Sequence, residues 1–80
     1  MYKQEYTIMV TMERNAQVLD RILHIFSRRG IGLENIQLIP SAAERGLQQL
    51  RLVFREEEVT IKKIINQIDK QIGVMETRVQ

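Results

Sequence analysis

Apolar residues along the chain alternate between a period of two and a helical period, and each stretch of one period predicts a strand or a helix. Residues 5–12 have period two, which predicts a half-buried strand. A helical period follows and predicts a first helix, with Asn15 as its N-cap and Gly30 as the left-handed residue beyond its last turn. The apolar positions of this helix are Val18, Leu19, Ile22, Leu23, Ile25 and Phe26.

The second half of the chain predicts a hairpin, a second helix and a last strand. Leu33 to Ile39 indicates a strand that Pro40 ends, Ser41 to Gly46 a connection, and Leu47 to Arg55 the next strand. The acidic run from Glu56 to Glu58 predicts a solvated helix start, and isoleucines at helical spacing continue up to Gly73. These isoleucines are Ile61, Ile64, Ile65, Ile68 and Ile72. Val74 to Val79 is the fourth predicted strand.

The predicted order is the ferredoxin-like βαββαβ arrangement, an α+β fold. Right-handed crossovers place both helices on one face of a four-stranded antiparallel sheet, with the first and third strands in its centre. The sheet residues expected to meet the helices are Tyr6, Ile8, Val10, Leu50, Leu52 and Phe54. The opposite face carries Thr7, Met9, Thr11, Gln49, Arg51 and Val53, and we expect it to be solvated or to contact a partner.

Composition narrows the class of protein. The 80 residues are enough for one domain with a thin core, and 44% hydrophobic and 28% charged residues are typical of a globular chain. Cysteine is absent, which excludes disulfides and thiol chemistry. Because no apolar run fits a membrane span or a signal peptide, we expect a cytoplasmic protein. The net charge of +2 is dispersed among acidic neighbours, which argues against nucleic acid as a partner.

Residue chemistry argues against enzymatic and metal-binding functions. Arg14 and Asn15 in the first loop would suit an acylphosphatase-like phosphate cradle, but no glycine-rich turn accompanies them. His24 is the only histidine and has no ligand-spaced carboxylates around it, so we expect an ordinary helix residue and no metal. Ser27 and Ser41 lack a histidine and carboxylate set. A binding module without a cofactor is therefore favoured, and the open sheet face lacks the aromatic residues that would stack RNA bases.

One segment could bind a small anion. The polar loop from Glu13 to Gln17 lies at the predicted N-terminus of the first helix, where backbone N–H groups attract negative charge. A second glycine, Gly32, lies where the chain re-enters the sheet.

Two motifs in the chain match a known family. The first consists of Leu19, Arg21, Ile22, Leu23, Phe26, Ser27, Arg29, Gly30, Leu33, Glu34 and Ile36. The second consists of Gln67, Ile68, Lys70, Gln71, Ile72, Gly73 and Val74. In these motifs the chain resembles an ACT domain, and above all the family of acetolactate synthase (acetohydroxyacid synthase) small regulatory subunits of the short, single-domain type. The resemblance spans nearly the whole chain, so we expect residues 1–80 to form a single ACT domain.

The resemblance implies a non-catalytic subunit of branched-chain amino-acid biosynthesis that binds and activates the large thiamine-diphosphate-dependent catalytic subunit. It also implies a homodimer that pairs through the second strand and first helix, with an amino-acid effector between the chains. The positions that it assigns to the effector loop and dimer edge are Arg14, Asn15, Ala16, Gln17, Gly32 and Leu33.

The loop departs from the valine-responsive pattern of that family. Arg14, Gln17 and Gly32 stand at the matching positions, and Gln17 replaces a glycine where close backbone approach is needed. We therefore expect no ordinary valine site. Two alternatives stay open: a free-standing amino-acid-sensing ACT protein that regulates another enzyme, and a purely structural dimerisation unit.

Overall fold

The computed structural model describes residues 2–41 and 44–80. Its elements in chain order are β1 (Gln4–Glu13), α1 (Ala16–Arg28), β2 (Leu33–Pro40), β3 (Leu47–Glu56), α2 (Glu58–Asp69) and β4 (Val74–Val79). The four strands form one antiparallel sheet in the order β2-β3-β1-β4. The ferredoxin-like βαββαβ fold with β1 and β3 in the centre is therefore confirmed.

The core lies between the sheet and the two helices. On β1 and β3 the cross-strand pairs Ile8–Leu52 and Val10–Leu50 are fully buried, and Phe26 of α1 meets Phe54 edge to face with ring centroids 5.0 Å apart. The predicted contact face is confirmed, with Tyr6 partly buried at its margin. The core residues are Ile8, Val10, Met12, Val18, Ile22, Ile25, Phe26, Leu50, Leu52, Phe54, Ile61, Ile64 and Ile68. On the opposite face Met9 is buried, while Thr7, Thr11, Gln49, Arg51 and Val53 are half-exposed.

Both ends of α1 are as predicted. The Asn15 side chain accepts a hydrogen bond of 2.8 Å from the N–H of Gln17, which caps the first turn. At the other end the N–H of Ile31 donates to the carbonyl of Phe26 over 3.0 Å, and Gly30 has φ of 71°. This pairing with a left-handed glycine is a Schellman motif, which ends the helix.

Two residues differ from their predicted positions. The prediction that Ile72 continues the buried stripe of α2 is wrong, because α2 ends at Asp69 and Ile72 lies 84% exposed in the turn that leads to β4. The prediction that Glu56 belongs to a solvated helix start is also wrong. Glu56 is the last residue of β3 and only 8% exposed, because the alternation of that strand continues one step and turns its side chain inward. Its carboxylate lies 3.6 Å from Lys3 Nζ and accepts from the N–H of Glu57.

The connection between β2 and β3 is described only in part. Of the predicted segment Ser41 to Gly46, residues 42 and 43 lie outside the described residues. The sequence predicted that the strand stops at Ile39, before Pro40, but Pro40 is the last residue of β2. Proline is tolerated there because β2 is an edge strand. Within residues 2–41 and 44–80, none of the helices is long and apolar enough to cross a membrane.

Candidate functional site

The loop between β1 and α1 is fixed by its neighbours on both sides. The N–H of Glu13 donates to the carbonyl of Gly73, and the N–H of Arg14 donates to the carbonyl of Gly46, each over 2.8 Å. These two bonds tie the loop to the turn before β4 and to the turn before β3. The loop that presents the N-terminus of α1 is therefore a rigid part of the fold.

The helix N-terminus has little unused hydrogen-bonding capacity. The Asn15 side chain occupies the N–H of Gln17, and the Asn15 carbonyl accepts from Val18 over 3.1 Å and from Leu19 over 3.2 Å. Of the first-turn donors, the N–H of Ala16 is the one for which the described residues show no acceptor. A single chain thus offers one free backbone donor at this helix end. An effector that binds here needs further contacts from elsewhere.

A cavity of about 490 Å³ lies beside this loop, between the start of α1 and the turn after α2. Its polar lining includes Glu13, Gln17, Arg21 and Lys70, and exposed Ile72 lies at its margin. A terminal nitrogen of Arg21 donates to the carbonyl of Ile72 over 2.9 Å, which holds the turn against α1.

Gly73 brings this turn unusually close to α1. Its φ is 94°, and a Cβ built at this position would lie 2.6 Å from Cγ2 of Val18 and 3.3 Å from a carboxylate oxygen of Glu13. Only a glycine fits here without a shift of α1 or the turn. Gly73 therefore sets the spacing between the loop before α1 and the end of α2.

Gly32 and Leu33 lie at the opposite end of α1 from the polar loop. The helix has 13 residues, which at 1.5 Å per residue separates its ends by about 20 Å. One chain therefore brings Arg14, Asn15, Ala16 and Gln17 together, and it does not bring Gly32 and Leu33 to them.

No contact within residues 2–41 and 44–80 requires a glycine at position 32. A Cβ at Gly32 would have no heavy atom of these residues within 4 Å, and the φ of Gly32 is outside the left-handed region. Gly30 and Gly73 contrast with it, since both need positive φ. Space at Gly32 is therefore available for something that approaches from outside the chain.

The edge strand β2 carries an exposed apolar stripe. Ile36 pairs with Leu52 and Leu38 with Leu50, so both side chains lie on the helix side of the sheet. They are nevertheless 48% and 47% exposed, because α1 does not cover the outermost strand. The outer backbone groups of an edge strand are free to pair with another strand. We call Ile36, Leu38 and the free backbone of β2 the apolar edge.

The two flanks of α1 differ in chemistry. Leu19 and Leu23, one turn apart, are partly buried hydrophobic residues on one flank of the helix. Arg21 and Arg28, two turns apart, lie on the other flank and share a groove with Gln67 of α2. Since α2 packs on the β4 side, the leucine flank faces β2 and adjoins the apolar edge. Sequence reasoning selected β2 for pairing but missed Ile36 and Leu38; their apolar character in an edge strand was the available signal.

Comparison with known proteins identifies the family of this chain. Residues 8–76 match the model of the AHAS small subunit-like ACT domain. The acetolactate synthase small subunit of Mycobacterium avium is 29% identical over 75 residues, which are 94% of this chain and 44% of that protein. The probable acetolactate synthase small subunit of Methanothermobacter thermautotrophicus is 29% identical over 73 residues, which are 91% of this chain and 43% of that protein. The chain therefore spans less than half the length of these two relatives.

Solved structures share the fold. The acetolactate synthase small subunit of Thermotoga maritima superposes with a TM-score of 0.82 at 22% identity, over 95% of this chain and 47% of that one. The ACT domain of GTP pyrophosphokinase from Chlorobium tepidum superposes with a TM-score of 0.78 at 16% identity, over 98% and 99%. Such low identities establish the fold alone, whereas the family model covers most of the sequence. The chain belongs to the family of AHAS small subunit-like ACT domains, as the motif in α1 and β2 predicted.

Proposed function

We propose that this chain is a non-catalytic regulatory small subunit of acetolactate synthase, which binds and activates the thiamine-diphosphate-dependent catalytic subunit. The match of residues 8–76 to the family model carries the proposal, and the names of the two curated relatives support it. The proposal includes a single ACT domain over residues 1–80 and the cytoplasmic location expected from the sequence. The chain itself would supply no cofactor and no reacting group.

The working form in this proposal is a twofold dimer. Antiparallel pairing of β2 with β2 of a second copy would join two four-stranded sheets and satisfy the free backbone groups of the edge. The same pairing would cover Ile36 and Leu38, whose exposure is otherwise costly to keep in water. The leucine flank of α1, formed by Leu19 and Leu23, would lie next to the same flank of α1 in the partner subunit.

A dimer of this form would also complete the effector site. In an antiparallel pair the start of each β2 lies beside the end of the other. Within one chain, the loop before α1 and the end of β2 lie at the same end of the sheet. Gly32 of the partner subunit would then lie near Asn15, Ala16 and Gln17. The open space at Gly32 supports this arrangement, since no contact in the described part of the chain explains the glycine. Arg14 and Leu33 would border the same site.

The side chain of Gln17 makes this site different from a valine site. Gln17 is exposed at the second position of α1, where the valine-responsive pattern has a glycine. Its Cβ and longer side chain would prevent the close backbone approach that a glycine allows at this position. The site would therefore not bind valine, and any effector that it binds would be a different small amino acid.

Co-expression with the cognate catalytic subunit tests the proposal. We expect the two chains to co-purify as one complex on a column that retains a tag on the catalytic subunit. The variant Leu38→Arg places a charge in the apolar edge. Comparing its co-purification with that of the original chain shows whether the complex depends on the dimer contact. Absence of any complex would contradict the proposal, and an amino acid that then raises the melting temperature would favour the free-standing sensor.

A further inference from the structure

The groove between α1 and α2 is cationic, and the proposed dimer does not use it. It has a volume of about 510 Å³ and is bounded by Arg21, His24, Arg28 and Arg29 from α1 and its C-cap, and by Gln67 and Gln71 from α2 and the turn after it. Among the residues that the structure describes, no carboxylate belongs to its lining. Three guanidinium groups therefore face one groove without a negative charge among them.

Hydrogen bonds hold two of these guanidinium groups but do not neutralise them. Arg29 Nε donates to Oε1 of Gln67 over 2.8 Å, and a terminal nitrogen of Arg21 donates to the carbonyl of Ile72 over 2.9 Å. Both acceptors are neutral, and each guanidinium has five N–H donors, so most donors stay available. In the described part of the chain the ion pairs are Lys3–Glu56 and Glu76–Arg78, and neither involves a residue of the groove.

Arg28 is the least constrained cation of the groove. It is exposed in the last turn of α1, and residues 2–41 and 44–80 show no hydrogen bond or ion pair for its side chain. Arg21 and Arg28 are seven positions apart, which puts them about 10 Å apart along one helix flank. This spacing matches carboxylates two turns apart on a partner helix.

The groove and the apolar edge lie on opposite flanks of α1. The groove opens toward α2, whereas Leu19 and Leu23 face β2. Pairing of two chains along β2 would therefore leave both grooves of the dimer open. A second protein can bind there without competing with the dimer contact.

We propose that this groove docks an acidic helix or loop of the catalytic subunit, and the inference rests on the proposed function. Arginine forms paired N–H to oxygen bonds with carboxylates, and the pre-positioned Arg21 and Arg29 lose little freedom when they do so. Nucleic acid fits less well, because binding a strand takes a longer run of phosphate contacts and stacking side chains, and Asp20 directly precedes the cationic strip.

The test compares charge variants in binding to the purified catalytic subunit, measured by surface plasmon resonance. Arg28→Glu should raise Kd at least about tenfold and reduce its dependence on salt, and Arg28→Gln should have a smaller effect in the same direction. Lys62→Glu is the matched control, because Lys62 is an exposed cation of α2 outside the groove lining. The Kd of the Lys62→Glu variant for the catalytic subunit should stay within about twofold of the Kd of the unaltered chain. Equal effects of Arg28→Glu and Lys62→Glu, or none from Arg28→Glu, would overturn the inference.

A second measurement separates this inference from the proposed function. If the unaltered chain does not bind the catalytic subunit, the proposed function fails, and titration of the labelled chain with a decaglutamate peptide still tests the groove by NMR. We expect the largest shifts at the amides of Arg21, His24, Arg28 and Gln67, and we expect Arg28→Glu to suppress them. Shifts spread over the surface, no shifts at all, or tighter binding of a single-stranded DNA of equal charge would each contradict an acidic protein segment as the occupant.

Discussion

Replacing Gly73 by alanine should destabilise the fold more than the same change at any glycine with free space around it. The added Cβ would lie 2.6 Å from Cγ2 of buried Val18, roughly 1 Å inside an ordinary carbon contact of about 3.5–4.0 Å. At φ of 94° the alanine would also occupy a backbone region that costs about 1–2 kcal/mol. Overpacking adds about 1–3 kcal/mol, so we expect a total loss near 3 kcal/mol.

Gly30→Ala is the matched control for this contact. Gly30 has a similar positive φ of 71°, but a Cβ at Gly30 would have no neighbour within 4 Å in residues 2–41 and 44–80. Its cost should therefore be the backbone part alone, about 1–2 kcal/mol. The difference between the two variants isolates the contact with Val18.

Urea unfolding, monitored by circular dichroism, measures the free energy of unfolding of both variants. A stable domain of 80 residues has a free energy of unfolding of about 4–12 kcal/mol, so a loss near 3 kcal/mol is easily resolved. It would lower the melting temperature by roughly 12–24 °C. Combining Gly73→Ala with Val18→Ala should recover at least about 1 kcal/mol relative to additivity, because the clashing methyl is gone. Equal losses at Gly73 and Gly30, or strict additivity in the double variant, would refute the close approach of the turn to α1.

Three further predictions concern the helix cap, the dimer edge and the effector. Asn15→Ala should lower the free energy of unfolding by about 1 kcal/mol because Gln17 loses its acceptor, and Asn15→Asp should restore it; an equal loss in both would contradict a capping role. Leu38→Arg should shift a dimer to monomer in analytical ultracentrifugation while the circular dichroism spectrum is kept, and an unchanged mass would argue against the apolar edge as the contact. Calorimetry should show no tight binding of valine, because Gln17 prevents close backbone approach at a position where the valine-responsive pattern has a glycine; a strong heat of binding would disprove this account of the loop.

Local sequence signals predicted the fold because every element is consistent with its own pattern. Alternation in β1 and β3, the helical stripe of α1, Asn15 and Gly30 each act within a few residues, and the structure confirms them. The errors at Glu56 and Ile72 come from element ends, where a periodic pattern does not coincide with the end of the element. At Glu56 the strand period continued past the start of the acidic run, and at Ile72 the helical spacing of isoleucines continued past Asp69, where α2 ends.

The candidate site was less predictable, because it depends on contacts between distant segments. Asn15 and Gly32 belong to one sequence motif but lie at opposite ends of α1 in one chain. In the proposed dimer a second copy brings them together, and a single sequence contains no direct signal for that arrangement. The cationic groove was missed for a similar reason. Arg21 and Arg28 belong to one helix flank, but the absence of a carboxylate opposite them depends on how α2 packs.

Titration of the catalytic subunit of acetolactate synthase with this chain tests the central claim most directly. The measured quantity is the rate of acetolactate formation from pyruvate at saturating thiamine diphosphate. We predict that the rate rises with added chain and reaches a plateau at a fixed ratio of the two subunits. A rate that stays at the level of the catalytic subunit alone, with the chain folded and in excess, would contradict the assignment of this chain as its regulatory subunit.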